Sequence, residues 1–544
     1  MNPHLLRCRG IAVAHYGFTP GALNLRPLDV QTNSVKIIKK WCETIMKKIW
    51  WAAAGFALIF VILMLIRLDL WARFFPETSN TTAIAPGELP ENDTWMNLYL
   101  KDKKIGYAHS VLTKQENGFL MDETLFMRMN IMGFSQDVQM TTTADLKKDL
   151  SLDTFVFKLH SGRFDFTASG QMKPGNKLSV TTNLTGTPKT NEIQLAHIPH
   201  LTGGVLHAAA RDYKLSQKDQ FTFHIFDPAT MSQEPVTVKV IGEDEITSMG
   251  QPTKTTKLTL TFKGAVQTAW MDQNNEIVRE KGLLGMTLEK TSREKALAGL
   301  SATASAPGMT PDMTPDITEI ASVKSNVIIN NPRKTSFLKV ELSGIDTDAL
   351  YLNGGRQTLS SNMLSVAKES MQDISKKTDK IHTSDLETFL RPEPFIESDH
   401  PTISELAAKI VSLDDPPPVK GQKLVDWVFK NIEKRPVISI PDAVTTLENR
   451  IGDCNEHSVL LAALARSAGI PSKIESGLLY LKGRFYYHAW NLLYVGEWIT
   501  ADSVFGLMPA DAARIRFASG NPQSQLDLIP VIDRVGILVI EAGD

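Results

Sequence analysis

Cysteine is nearly absent from this chain: three residues, Cys8, Cys42 and Cys454, in 544. That scarcity excludes a disulfide-stapled scaffold and a cysteine-rich zinc module, each of which needs several thiols at short spacing. Net charge is lacking as well, at −2 with 60 acidic against 58 basic residues. The electrostatic footprint of a nucleic-acid binder is therefore missing, and no nucleic acid is expected as a partner. No second or third ligand stands at metal-site spacing around Cys454 or His457, and no phosphate loop is present, so neither a metal nor a cofactor is expected. His457 reads as a helix-surface residue.

Long apolar runs are missing with one exception. Residues 49–66, from Ile49 through Trp50, Trp51 and Phe60 to Ile66, carry no charge. As a helix they extend about 27 Å, enough to span a bilayer core. Lysines 36, 39, 40, 47 and 48 precede the run and only Arg67 and Arg73 follow closely, so the positive-inside rule leaves the N-terminus in the cytoplasm. Small residues in a cleavage-site pattern are missing after Ile66, which predicts an uncleaved signal anchor. Met46-Lys47-Lys48-Ile49-Trp50-Trp51 is itself a well-formed anchor start, so residues 1–45 read as an over-extended gene start. The expected location is the inner (cytoplasmic) membrane, single-pass, with the bulk of the chain on the extracytoplasmic, periplasmic side. Cys454 is then the one thiol on that side, where structural cysteines are normally paired, and a lone one needs a reason.

The surroundings of Cys454 supply one. It opens an apolar run, Val459 to Ala465, that stops at Ala468-Gly469-Ile470-Pro471, the signature of a helix with a C-terminal glycine and a proline beyond. Asp453 and Glu456 have capping-box spacing. Cys454 thus sits at a helix N-terminus, where the macrodipole favours thiolate. His488 follows after 34 residues and Asp502 after 14 more, the order of a nucleophile, base and orienter. His488 lies in an aromatic run, Gly483 to Val495, that reads as a strand, and Trp498 to Asp502 reads as its hairpin partner across Gly496-Glu497. A two-residue loop would put His488 and Asp502 on opposite faces, because side chains alternate. A working pair requires a three-residue turn or a bulge near Gly496.

The pattern Arg450-x-Gly452-Asp453-Cys454-x-Glu456, then Leu464 to Lys473, then His488-Ala489-Trp490 and Gly496-x-Trp498-x-x-x-Asp502 resembles the transglutaminase-like superfamily in its bacterial branch. The upstream helix Lys423 to Ile432 fits it too, and the resemblance covers residues 402–510. It implies a papain-like α+β core with Cys454 as nucleophile, His488 as base and Asp502 as orienter. No side-chain oxyanion donor is assignable, which leaves the Cys454 backbone N–H as the default. Arg484, Tyr486, Tyr487 and Trp490 are candidates to shape the substrate cleft, although aromatic core packing accounts equally well for the last three.

The fold class expected is α+β: a papain-like, transglutaminase-like C-terminal domain preceded by an antiparallel β-rich domain and an N-terminal transmembrane helix. Residues 1–48 read as a cytoplasmic segment, 49–66 as the anchor and 67–93 as a linker. Residues 94–295 show short alternating segments broken by turn residues, which means antiparallel strands in a curved sheet or sandwich, with one short helix within Ala196 to Tyr213. Residues 296–324, with Ser301 to Gly308 and two Met-Thr-Pro-Asp repeats, read as a flexible linker. Residues 325–400 read as a small β module and connector, with strands in Ser325 to Ile345 and Asp348 to Leu359. Residues 401–544 read as the catalytic domain, opened by helices at Thr402 to Ser412 and Val419 to Glu433 and closed by strands within Leu526 to Ile540.

The site supports acyl transfer through a Cys454 thioester on protein or peptide amide bonds. Water as acceptor gives a cysteine protease, amidase or deamidase, including one dedicated to a single partner, and a lysine amine gives a crosslinking transglutaminase. The competing class is a catalytically silent scaffold whose β-domain binds an envelope partner.

Overall fold

Alternation of apolar and polar residues through Asn92–Thr291 resolves into one continuous fifteen-stranded sheet in the computed structural model. The structure describes residues 92–543 apart from 163, 184–187, 213–219, 301–314 and 372–385. The expected anchor at 49–66 lies outside the described residues, as do residues 1–48, most of the 67–93 linker and the centre of the 296–324 linker. Among the described residues no helix is long and apolar enough to cross a membrane.

The first strand, Asn92–Leu100, occupies the middle of this sheet, hydrogen-bonded to Lys103–Gln115 on one side and to Met286–Thr291 on the other. Antiparallel pairings step outward from it in both directions, ending at Lys189–Gln194 on one edge and, through one parallel step, at Pro199–His200 on the other. The strand Leu152–Ser161 shows how its two faces differ: Phe155, Phe157, Leu159 and Ser161 are buried on one face while Val156, Lys158 and His160 stand outside. The covered face wraps the helix Thr202–Asp212, whose Ala208 packs with Phe155, Phe166 and Phe226, and whose Val205, Leu206 and Ala209 pack with Ile225, Val236 and Val238. At Gly203 a Cβ would fall 1.8 Å from Glu123 Oε1, so only glycine lets the helix approach that carboxylate.

Beyond residue 322 the chain builds a second body in which the expected small module and the expected catalytic domain share a core. Phe337–Ser343 pairs with Met363–Ala367 on one side and with the C-terminal strand Gly536–Gly543 on the other, and Gln357–Ser360 completes a four-stranded sheet. Leu338, Val340 and Leu364 of that sheet pack with Leu478, Tyr480 and Phe517. The strands of this module start later than the alternation predicts. Residues 331–334 form a turn around Pro332 instead, closed by the Lys334 N–H donating to Asn331 O at 2.9 Å. Toward the C-terminus Pro522–Leu528 is a 3₁₀ turn capped by Asn521, not a strand, so the closing strand begins only at Gly536.

The helices Pro401–Ile410, Pro417–Asn431 and Ala443–Asn449 surround the helix Cys454–Ser467, which is buried continuously from Glu456 to Arg466. A helix enclosed on all sides needs no polar face, which accounts for its apolar run. Its back lies on a sheet made of Ser472–Leu481, Arg484–Tyr494, Trp498–Ala501 and Arg514–Gly520, with Val323–Lys324 attached to the far end of the Arg484–Tyr494 edge. The class is α+β, with a β-rich N-terminal region. The two bodies touch where Phe395 and Ile440 join the apolar cluster of Phe157, Leu159 and Phe166, and where Lys189 Nζ meets Glu397 Oε1 at 2.9 Å.

Candidate active site

Cys454 occupies the first turn of its helix because the two flanking carboxylates close a capping box. Asp453 accepts from the Asn455 N–H at 2.8 Å, and Glu456 Oε2 accepts from the Asp453 N–H at 2.9 Å. Gly452 makes the box possible, since a Cβ there would meet Glu456 Cβ at 2.3 Å. The helix is tied to the adjacent strand by Asn491, whose Nδ2 donates to Ser458 O at 2.9 Å. At the other end Gly469 adopts φ +80° and Pro471 follows, as the stop signal predicts.

The hairpin has the odd loop that parity demands. Tyr494 pairs with Trp498, leaving Val495, Gly496 and Glu497 in a three-residue turn with Gly496 at φ 113°. Asn491 pairs with Ala501, so Asp502 falls opposite Trp490 and on the same face as His488. Their side chains meet: His488 Nε2 lies 2.8 Å from Asp502 Oδ2, both groups buried. With Nε2 engaged, Nδ1 is the nitrogen left for chemistry. The backbone N–H of the next residue, Ala489, donates toward the Cys454 thiol.

Behind this pair is a cation that no sequence motif announces. Arg514, fully buried, donates to Asp502 Oδ2 from Nε at 2.9 Å and from Nη2 at 2.7 Å, and its Nη1 lies 2.5 Å from Asp511 Oδ2. Asp502 Oδ1 accepts from the Val504 N–H at 3.0 Å. Burial alone would raise the Asp502 carboxyl, but the His488 ring and the Arg514 guanidinium outweigh it and hold the group well below the usual carboxylate range. Asp502 is therefore a fixed anion that orients the imidazole. The available signal was compositional: Arg514 and Arg516 are charges set in the otherwise apolar run Arg514-Ile515-Arg516-Phe517, and a strand that must be buried carries such residues only when they are paired.

Three expectations are corrected. The helix N-terminus does not dominate the thiol: burial pushes Cys454 well above its ordinary value, the carboxylates of Asp453, Glu456 and Asp502 push the same way, and the Ala489 N–H opposes them. The resting group is the thiol. His457 is not on the helix surface but fully buried, with Nδ1 2.7 Å from Asp453 O and Nε2 without a hydrogen-bond partner, and burial lowers it to about 4 so that it stays neutral. It was misplaced because the Cys454 helix has no solvent face. Of the cleft candidates, Trp490 is only 1% exposed and its Nε1 donates to Glu475 Oε2 at 2.8 Å, which makes it core. Arg484 donates to Ser322 Oγ at 2.6 Å and to Glu319 O at 3.1 Å, pinning residues 317–324 to the sheet edge. Tyr486 is half-buried on the His488 face, whereas Tyr487 points to the opposite side, into the core around Tyr480 and Phe485.

Residues 404–503 match the transglutaminase-like superfamily, and this stretch contains Cys454, His488 and Asp502. No curated protein matches the chain. Among solved structures the chain is similar to a candidate cysteine protease from Cytophaga hutchinsonii, at 18% identity over 39% of this chain and 86% of that one, with a TM-score of 0.27. A β-barrel-like protein of unknown function from Brucella abortus is matched at 11% identity over 38% of this chain and 98% of that one, TM-score 0.31. The periplasmic domain of TgpA from Pseudomonas aeruginosa, bound to ethylmercury, is matched at 16% identity over 31% of this chain and 73% of that one, TM-score 0.23.

Proposed function

We propose, from the premise that residues 404–503 are a transglutaminase-like domain, that this chain is an envelope thiol acyl-transfer enzyme acting on protein or peptide amide bonds. The observation that carries the reading is the His488–Asp502 hydrogen bond of 2.8 Å behind a thiol at a helix N-terminus. As the Cys454 sulfur attacks the carbonyl carbon, its proton passes to His488 Nδ1, and Asp502 stabilises the imidazolium that forms. The C–N bond breaks, His488 returns the proton to the leaving amine, and a thioester remains on Cys454. Water or an amine then attacks that thioester, releases the acyl group and restores the thiol. The first acceptor makes the enzyme a protease or amidase, the second a transglutaminase. The Cys454 N–H, at a helix position outside the i→i−4 ladder, is the natural donor to the oxyanion.

The chain is proposed to be held in the cytoplasmic membrane through residues 49–66, with the β-rich region as a recognition or spacer unit on the outer side. A second reading, the silent scaffold whose β-rich region binds an envelope partner, is favoured by one observation, the upward push on the Cys454 thiol.

Alkylation of Cys454 by iodoacetamide, followed across pH by mass spectrometry of its peptide in the full chain, separates the two. General-base assistance is worth about 10²–10⁴, so His488→Ala is expected to slow labelling at neutral pH by tenfold or more. Identical profiles in both proteins, each rising only as an unassisted thiol ionises, would overturn the enzymatic reading.

A further inference from the structure

Arg333 lies beside this site without an evident structural use for most of its charge. It stands in the 331–334 turn, where Pro332 fixes the backbone and the Ala512 N–H anchors the chain by donating to Thr335 O at 2.8 Å. The base of the side chain is thus held by rigid structure. Its guanidinium sits over Phe505, with Cζ 3.6 Å from the ring centroid, and Phe505 meets the His488 imidazole edge-on at 5.7 Å. Its ion pair is long: Nη1 to Asp511 Oδ2 at 3.4 Å, on an oxygen that Arg514 already approaches to 2.5 Å. The side chain is 30% exposed, and the one ion pair accounts for a single N–H, which leaves further donors on the guanidinium. A stacked guanidinium keeps its in-plane donors free, and those donors match a planar carboxylate in bidentate fashion.

We infer that Arg333 is a specificity-determining residue that binds a carboxylate of the peptide substrate, one aromatic ring removed from His488. The inference rests on the acyl-transfer reading and adds a substrate class to it: peptides with an acidic side chain, or a free C-terminal carboxylate, next to the reacting amide. Asp511 Oδ2 is shared between two guanidiniums, Arg514 Nη1 at 2.5 Å and Arg333 Nη1 at 3.4 Å, so one carboxylate oxygen serves two cations. A substrate carboxylate completes the pairing, and the cation–π contact with Phe505 keeps the guanidinium aimed while the site is empty.

Three iodoacetyl probes applied to the full chain test this, with labelling again read at the Cys454 peptide: iodoacetyl-glutamate α-amide, iodoacetyl-glycine with a free carboxylate, and the neutral iodoacetyl-glutamine α-amide. A charge-assisted contact is worth roughly ten- to a hundredfold, so one or both acidic probes are expected to outpace the neutral one by that ratio. The favoured probe identifies the source of the carboxylate. Arg333→Gln is expected to bring the ratio close to one, and Arg333→Lys to recover part of it, because lysine keeps the charge but not the fork. A ratio near one in the wild type, or a ratio that Arg333→Gln leaves unmoved while all three rates fall alike, would overturn the inference and leave Arg333 as packing. Labelling that is independent of His488 overturns the acyl-transfer reading itself, and with it this one. A ratio near one with His488-dependent labelling overturns only the carboxylate site.

Discussion

Arg514→Gln removes the cation that Asp502 and Asp511 share inside the fold. In the wild type Arg514 reaches Asp502 Oδ2 at 2.7 and 2.9 Å and Asp511 Oδ2 at 2.5 Å, with all three side chains buried. Removing one member of such a group leaves buried charge uncompensated, at a cost of about 3–5 kcal/mol. Arg333, at 3.4 Å, relieves Asp511 only in part. Urea unfolding at pH 7, followed in the transition of the C-terminal body, is expected to show a loss of that size. Because the cost comes from unpaired charge, Asp502→Asn combined with Arg514→Gln is expected to be more stable than Arg514→Gln alone by about 1–2 kcal/mol. The pH dependence carries a sign. The folded carboxyl of Asp502 is held below its unfolded value of about 3.9, so its contribution is complete above that pH and is lost as the pH falls through the lower folded value. Arg514→Gln lets the folded value rise, so the stability gap between the two proteins is widest near neutrality and narrows on acidification. A gap under about 1 kcal/mol at pH 7, a gap that fails to narrow in acid, or strict additivity with Asp502→Asn would refute the reasoning.

Trp490→Phe removes the indole N–H that donates to the buried Glu475 and is expected to cost about 1–3 kcal/mol in the same urea assay, with Cys454 labelling ratios unchanged; altered ratios at full stability would return Trp490 to the cleft. In the β-rich region burial pushes both Glu123 and Glu280 up to about 7, Glu280's charge adding to the effect on Glu123. The folded protein therefore holds protons that the unfolded chain releases above about pH 4.3, and stability falls as pH rises through that window. Since Glu123 keeps some exposure, Glu123→Gln is expected to stabilise by about 1–2 kcal/mol at pH 8 and by almost nothing at pH 4. Thermal or urea unfolding at the two pH values checks this, and equal effects at both would refute it.

Much of the site was readable from short-range rules. Asp453, Glu456, Gly469 and Pro471 mark the ends of the Cys454 helix because capping is settled within four residues. The period of two in a strand, with Gly496 in the loop, was enough to require the three-residue turn that puts Asp502 on the His488 face. The alternating segments of residues 92–291 likewise declared an antiparallel sheet.

Short-range rules reach only local features: which residues begin and end elements, which face each one takes, and that Cys454, His488 and Asp502 stand in an order suited to nucleophilic chemistry. The remainder depends on long-range packing. The pairing of Phe337–Ser343 with Gly536–Gly543 joins segments nearly two hundred residues apart, and no periodicity announces its partner. Burial of His457 and Trp490 depends on which elements cover the Cys454 helix and its strand. The charge state of Cys454 is set by a contest between the helix N-terminus and the desolvation and carboxylates around it, and only coordinates show that burial prevails. The same holds for Arg514 and Arg333: a charged side chain in a sequence carries no mark of its partner, because Coulomb energy depends on distance and dielectric in the folded state rather than on separation along the chain.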